Sequence, residues 1–249
     1  MLRQKEGHMS FLEDLNPAAD RTILELFDGQ AIESFYSFLR EKNDIGGFFS
    51  KGDFERIADR HLYESLAYVA RIMSLKGVSR ETKILDAGSG PGLPGYLFTC
   101  LKEPPYVTLL DSSRRRLSLL EEFHRSLPPE RLQRLKGRVR FQYARAEESR
   151  GDYDIVTARA LIPFPFNAIL LRHLLKGQMA LATGPSPVTP ESEKLLQQFG
   201  LMVEESCPLA ELDFIGERHL LLLRKKNRTS TLQPVPWKTI QGLRAASEK

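Results

Sequence analysis

An acidic residue runs into a glycine-rich turn at Asp86-Ala-Gly-Ser-Gly-Pro-Gly-Leu-Pro-Gly95. Glycines at 88, 90, 92 and 95 let the backbone turn tightly and approach a ligand where side chains would block it. Gly90-Pro-Gly-Leu-Pro-Gly95 satisfies the dinucleotide pattern G-x-G-x-x-G literally, which alone is a weak signal. Asp86 separates the alternatives. In a dinucleotide fold this loop faces a pyrophosphate, beside which a carboxylate is unfavourable. The amino-acid end of S-adenosylmethionine (SAM) carries an ammonium that tolerates one. The loop therefore favours SAM over a nicotinamide dinucleotide, with Asp86, Gly88 and Gly90 among the candidate ligand residues.

Asp111 ends Val107-Thr-Leu-Leu-Asp111, 25 residues after Asp86. An acid there can accept hydrogen bonds from both ribose hydroxyls, or it can cap the helix predicted to follow Ser112-Ser113. Tyr143-Ala-Arg-Ala-Glu-Glu148 follows the third predicted strand. It reads either as the border of an adenine, with Glu147 accepting from the amino group, or as a solvated surface loop. Asp154-Ile-Val-Thr157 delivers Ala158-Arg159-Ala160 to the carboxyl edge of a sheet, where an arginine suits an anion. Histidines at 8, 61, 124, 173 and 219 have no evident carboxylate or serine partner, and His61 reads as a packing residue. Methyl transfer to a nucleophilic nitrogen needs no base, so positioning can carry it.

The elements that must position these residues are readable from periodicity. Residues 18–41 place Ile23, Leu26, Phe27, Phe35, Phe38 and Leu39 on a helical stripe, and residues 53–73 repeat the pattern, with a glycine-broken loop at 46–52 between them. From residue 83 onward the chain predicts strands at 83–87, 107–111, 139–143, 154–157, 178–183, 201–207 and 219–224. Helices are predicted between them at 114–126, 165–174 and 189–199, and one begins near Pro94. The fold class expected is α/β, a Rossmann-like seven-stranded and mostly parallel sheet with helices on both faces. The hairpin-length link 208–218 implies an antiparallel strand at the end. The division expected is a helical segment over 1–75, a cofactor-binding domain over 76–226 and a polar, partly disordered tail over 227–249.

With 249 residues, 41% apolar and 27% charged, the chain suits one sizeable core. No apolar run is long enough to span a bilayer and the start lacks a signal-peptide core, so no membrane and a cytoplasmic location are expected. Cys100 and Cys207 have no metal-ligand spacing, and no metal is expected. The charge of +4 gathers at Arg114-Arg-Arg116, at Arg131, Arg134, Lys136, Arg138 and Arg140, and at Arg224-Lys-Lys-Asn-Arg228. These clusters read either as solvated faces or as phosphate contacts.

Four motifs, in order and spacing, resemble the RsmG (GidB) family of bacterial methyltransferases: Asp86 to Gly95, Asp111-Ser-Ser-Arg-Arg-Arg116 with Leu119-Leu120, Arg145-Ala-Glu147, and Asp154-Ile-Val-Thr-Ala-Arg-Ala160. Weaker similarity extends to His61-Leu-Tyr-Glu-Ser-Leu66 and Glu217-Arg-His-Leu-Leu-Leu-Leu-Arg-Lys225. The resemblance implies transfer of the SAM methyl to N7 of a guanine in 16S ribosomal RNA, leaving S-adenosylhomocysteine (SAH). It implies small-subunit ribosomal RNA or the 30S particle as partner, and a monomer is expected. Gly88, Leu93, Ala146, Glu147 and Arg159 would line the cofactor site, with Asp111 on the ribose, and Arg145, Arg159 and Arg218 would serve catalysis. Ala144, Glu64 and Arg115 replace the family's usual Gly, Asp and Lys. Asn43-Asp-Ile-Gly-Gly47 and the tail depart further. The rival readings are a SAM methyltransferase with a non-RNA substrate and a non-catalytic SAM- or RNA-binding module.

Overall fold

The computed structural model describes residues 10–227 and 229–247; His8, and Arg228 of the last basic cluster, lie outside them. The first third is helical, in shorter pieces than its periodicity suggests. Helix α1 (Phe11–Asp14) is followed by a 3₁₀ turn at Arg21–Leu26 and then by α2 (Gly29–Glu41). The single helix expected over 18–41 is broken at Asp28, which takes the N-cap position. Its Oδ1 accepts from the Ala31 N–H at 3.1 Å and its own N–H donates to the Cys100 carbonyl at 2.8 Å. An N-cap has extended geometry, so the helix cannot run through it. Short helices α3 (Asn43–Gly46) and α4 (Lys51–Phe54) occupy both ends of the expected loop. The helix expected over 53–73 widens into a π-helical stretch at Ile57–Tyr63 before α5 (Glu64–Met73). Such widened turns recur at functional sites, and here the Arg60 carbonyl is turned out to accept from Arg159 at 3.2 Å.

The remainder forms a seven-stranded sheet. Its strands are β1 (Lys83–Ala87), β2 (Tyr106–Asp111), β3 (Val139–Tyr143), β4 (Tyr153–Arg159), β5 (Leu175–Thr183), β6 (Leu201–Pro208) and β7 (His219–Lys225). Their order is β3-β2-β1-β4-β5-β7-β6. β1 to β5 are parallel, and β7 runs antiparallel to both β5 and β6. This is the Rossmann-like arrangement expected. Between strands lie α6 (Arg114–Arg125), α7 (Pro129–Leu135), α8 (Phe166–Leu171) and α9 (Pro190–Gln198). The helix expected near Pro94 is instead a 3₁₀ segment at Gly95–Cys100, its turn closed by the Leu97 N–H on the Pro94 carbonyl at 3.0 Å.

Strand residues alternate between two cores, as a sheet buried on both faces requires. Ile84, Val107, Leu109, Ile155, Ala180, Leu220 and Leu222 pack on one side with α2, α5 and α6. Leu85, Leu110, Val156, Met179, Leu181, Leu221 and Leu223 pack on the other with α8 and α9. The expected polar tail contains an ordered helix, α10 (Trp237–Ser247). It joins the second core because Val235 and Ile240 are apolar and correctly spaced to bury beside α8. Among the described residues no helix is long and apolar enough to cross a membrane.

Candidate active site

The strand order reverses between β1 and β4, and a crevice outside the carboxyl ends at such a point is where open α/β sheets bind ligands. The crevice holds two adjoining cavities. The first, about 280 Å³, is lined by Gly88, Asp111, Arg145, Ala146, Glu147, Leu170 and Trp237. The second, about 760 Å³, is lined by His61, Glu64, Tyr68, Arg159, Asn167 and Arg218. Ala160, Leu161 and Ile162 border both. Ala160 has φ +53°, the only positive φ of a non-glycine residue among the described residues, so the chain turns sharply as it leaves β4. A left-handed alanine is uncommon and marks sites where geometry is over-determined by its surroundings.

The glycine loop shapes the first cavity. Gly88, Gly90 and Gly92 have φ of +74°, +54° and +107°, all in the left-handed half of conformational space. A Cβ on Gly88 would come within 2.6 Å of Leu161 Cδ1, so that side chain of the dividing wall would have to shift, and the φ of +74° itself favours glycine there. Asp111 Oδ2 accepts from the Gly90 N–H at 2.7 Å and Oδ1 from the Ser113 N–H at 2.6 Å. The N-cap of α6 belongs to Ser113, whose Oγ accepts from the Arg116 N–H, so Asp111 is left to tie the loop to β2 at the cavity wall. Arg145 Nε donates to Glu147 Oε1 at 2.6 Å.

Asp86 lies behind the loop and is fully buried. Its Oδ2 accepts from the Gly95 N–H at 3.0 Å, while Oδ1 has no partner in the structure. An orphaned buried carboxylate oxygen under a glycine cradle, with Asp111 alongside, fits a ligand that is cationic near the loop and carries hydroxyls near β2. SAM has both features. Burial pushes the Asp86 carboxyl up to about 7. Because this lies above the ordinary 3.8, the fold favours the protonated acid, and charging Asp86 costs stability progressively as pH rises from about 4 through 7. A cationic ligand favours the carboxylate instead, so binding should release a proton. Affinity for SAM is expected to rise about tenfold from pH 5.5 to 7 in calorimetric titrations. Asp86→Asn should flatten that slope; an equally steep slope in the variant would assign the titration to another group.

The second cavity is organised by an ion triad. Glu64 Oε2 accepts from Arg159 Nη1 at 2.9 Å and Glu64 Oε1 accepts from Arg218 Nε. Arg159 Nη2 also stands 3.3 Å from His61 Nδ1. Burial, with the neighbouring Arg159 charge, lowers His61 to about 4, so its imidazole is neutral at physiological pH and can accept from the guanidinium. The Tyr68 hydroxyl donates to the Thr183 carbonyl at 2.7 Å.

The structure thus gathers Gly88, Asp111, Ala146 and Glu147 around one cavity and Arg159 with Arg218 in the other. Gly90 and Leu93 sit in the supporting loop, and Asp86 holds that loop from within β1. Arg145 does not join the other two arginines; it stands in the first cavity. Sequence reasoning missed the central position of Glu64, seen only as a variant motif residue; His61 packs against the Phe49 ring, 4.4 Å between centroids, as well as facing Arg159. Trp237 reads in the sequence only as part of the polar tail, whereas the structure brings it to the first cavity. A carboxylate three residues after His61 in an otherwise apolar pattern was the available signal for the triad. A further cavity of about 580 Å³ lies at the opposite, amino-terminal edge of the sheet, near Thr82, Asp154 and Lys176, away from these residues.

Comparison with known proteins places this architecture. The magnesium protoporphyrin IX methyltransferase from Synechocystis PCC 6803 with bound SAH superposes with a TM-score of 0.52 at 14% identity, over 76% of this chain and 98% of that one. A Burkholderia thailandensis 1,6-didemethyltoxoflavin-N1-methyltransferase superposes at 0.50 with 20% identity, over 78% and 89%. Both similarities establish the fold. The "Ribosomal RNA small subunit methyltransferase G" of Leptospira biflexa is 39% identical over 217 residues, covering 86% of this chain and 87% of the relative. Its namesake in Leptospira interrogans serovar copenhageni is 40% identical over 238 residues, covering 94% and 91%. The family model GidB, described as rRNA small subunit methyltransferase G, matches residues 28–189, a span that runs from α2 through the glycine loop and Arg159 to the start of α9. The chain belongs to the GidB family of small-subunit ribosomal RNA methyltransferases.

Proposed function

We propose that this protein transfers the methyl group of SAM to N7 of a guanine in 16S ribosomal RNA, the first cavity holding the cofactor and the second the base. The observation that carries the reading is the pair of cavities sharing the wall Ala160 to Ile162, one edged by Asp111 and Glu147, the other by paired arginines. When bound, SAM supplies a methyl group activated by its sulfonium. Asp111 and Glu147 offer acceptors for ribose and adenine, and the Gly88 cradle admits the chain of the ligand close to the backbone. Across the wall, Arg159 and Arg218 outnumber Glu64 and give the second cavity positive charge suited to guanine O6 or an adjoining phosphate. Guanine N7 carries a lone pair and no proton, so no side chain has to act as base. His61, lowered to about 4, is a poor base in any case and serves better as the acceptor that orients Arg159. A base must leave its stack to reach such a pocket, which favours an RNA loop or an assembling particle as substrate.

The test is incubation with radiolabelled SAM and either 30S subunits or naked 16S RNA, followed by mapping of modified bases. One guanine methylated at N7 is expected, and ribosomal RNA from cells lacking the protein should lose that mark. Label on another atom or on a non-RNA acceptor would replace this reading with the rival substrate. SAM binding without transfer to any acceptor would leave a binding module.

A further inference from the structure

Trp237 is the only tryptophan in the chain, and the tail that carries it was expected to be polar and partly disordered. It is the first residue of α10, held between two anchors. Val235 and Ile240 are buried in the second core, alongside α8 residues including Ala168, Ile169 and Leu171. The indole between these anchors is only half-buried and fronts the first cavity, with Leu170 of α8 beside it. The Arg145 guanidinium lies over the indole, with Cζ 5.3 Å from the ring centroid, inside the range of a cation–π contact. Arg145 is in turn paired with Glu147 at 2.6 Å. The cavity bordered by Ala146 and Glu147 is therefore also lined by an indole arriving from a segment more than 70 residues further along the chain.

We propose that Trp237 is a cofactor-binding residue, its indole supplying an aromatic face for the purine of SAM while the Arg145–Glu147 pair fixes that face in place. This rests on the reading of the first cavity as the cofactor site. The indole packs partly against the second core and turns the rest of its surface to the cavity. A half-exposed indole facing a cavity offers a flat apolar surface, and stacking a base on such a surface is worth about a tenfold or larger change in affinity on truncation to alanine. The assignment also gives the tail, which departs from the family pattern, a place in the site.

As the sole tryptophan, Trp237 reports on the cavity without a label. Titration of the wild-type protein with SAH should change its emission saturably, with the midpoint found by calorimetry. Trp237→Ala should weaken SAH binding about tenfold and raise the KM for SAM similarly, with kcat held within about twofold. Trp237→Phe, which keeps a ring, should stay within about threefold of wild type. Calorimetric SAH binding to wild type with unchanged emission would overturn the proposal and leave the methyltransferase reading intact, as would wild-type affinity in the alanine variant. No SAH binding to wild type would overturn that reading and this proposal with it.

Discussion

Glu64→Gln is expected to lower the melting temperature by about 8 °C at neutral pH and low salt, and to abolish most methyl transfer. Glu64 is buried and accepts from two arginines that come from distant parts of the chain, Arg159 ending β4 and Arg218 preceding β7. Removing the one anion leaves two guanidiniums facing a neutral amide whose NH₂ competes as a donor. Breaking a buried ion pair from one side costs about 3–5 kcal/mol. In a domain of this length each kcal/mol moves the melting temperature by about 2–4 °C, and the slight exposure of the arginines places the expectation low in that range. Glu64→Asp keeps the charge and restores the residue usual in the family, so it should melt close to wild type and retain activity within about tenfold. Combining Glu64→Gln with Arg159→Met should recover part of the lost stability, because the second change removes one of the repelling cations. A melting temperature within about 2 °C of wild type for Glu64→Gln would show that water screens the triad and that it does not hold α5 to the sheet.

The sheet was legible because its strands are short apolar runs bounded by glycine, proline and charge. β1 and β3 have the bounds that periodicity predicts, and the hairpin-length link before β7 gave away its antiparallel direction. Helix continuity was less legible. Apolar spacing over 18–41 fits one helix, but Asp28 breaks it by capping α2 and by a bond to the Cys100 carbonyl, 72 residues away, and apolar spacing encodes neither. The helix within the tail is not legible for a related reason: Val235, Trp237 and Ile240 are few among polar neighbours, and only the apolar surface of α8 makes that small stripe sufficient. Its share of the candidate site was hidden with it.

Charge clusters in sequence proved a poor guide to free positive surface. Arg131 donates to the Thr99 carbonyl at 3.2 Å and pairs with Asp28, Arg134 donates to the carbonyls of Leu101 and Lys102, and Arg138 donates to those of Arg80 and Pro104. These arginines fasten α7 and the start of β3 to the loops below the sheet, satisfying carbonyls that would otherwise lack donors. Lys136 and Arg140 of that cluster are exposed, as are Arg114 and Arg115 of the first. A five-donor guanidinium suits both tasks, and sequence alone does not say whether its partners are carbonyls of the same chain or phosphates of another. The site residues were legible in the opposite way. Asp86 is one residue from the end of its parallel strand and Asp111 and Arg159 end theirs, and parallel strands in one sheet bring their carboxyl ends together whatever the intervening helices do.

Arg159→Ala should reduce kcat/KM for methylation of the ribosomal RNA substrate about a hundredfold while SAH affinity stays within about threefold of wild type. A reaction that needs no base depends on how rigidly its charged groups are held, and Arg159 is fixed by Glu64 Oε2, the Arg60 carbonyl and His61 Nδ1 beside the left-handed turn at Ala160. Removing a preorganised donor of this kind typically costs about 10²–10³ in rate. The cofactor cavity should be spared, because Arg159 lines the second cavity and the glycine loop is tied down by Asp86 and Asp111 instead. Stability should fall less than in Glu64→Gln, by no more than about 4 °C, since Glu64 keeps Arg218 as its partner. Arg159→Lys retains the charge without the planar fork and should recover about tenfold of the lost rate. Full activity in the alanine variant would remove Arg159 from the site, and loss of SAH binding with transfer otherwise intact at saturating SAM would move it to the cofactor cavity.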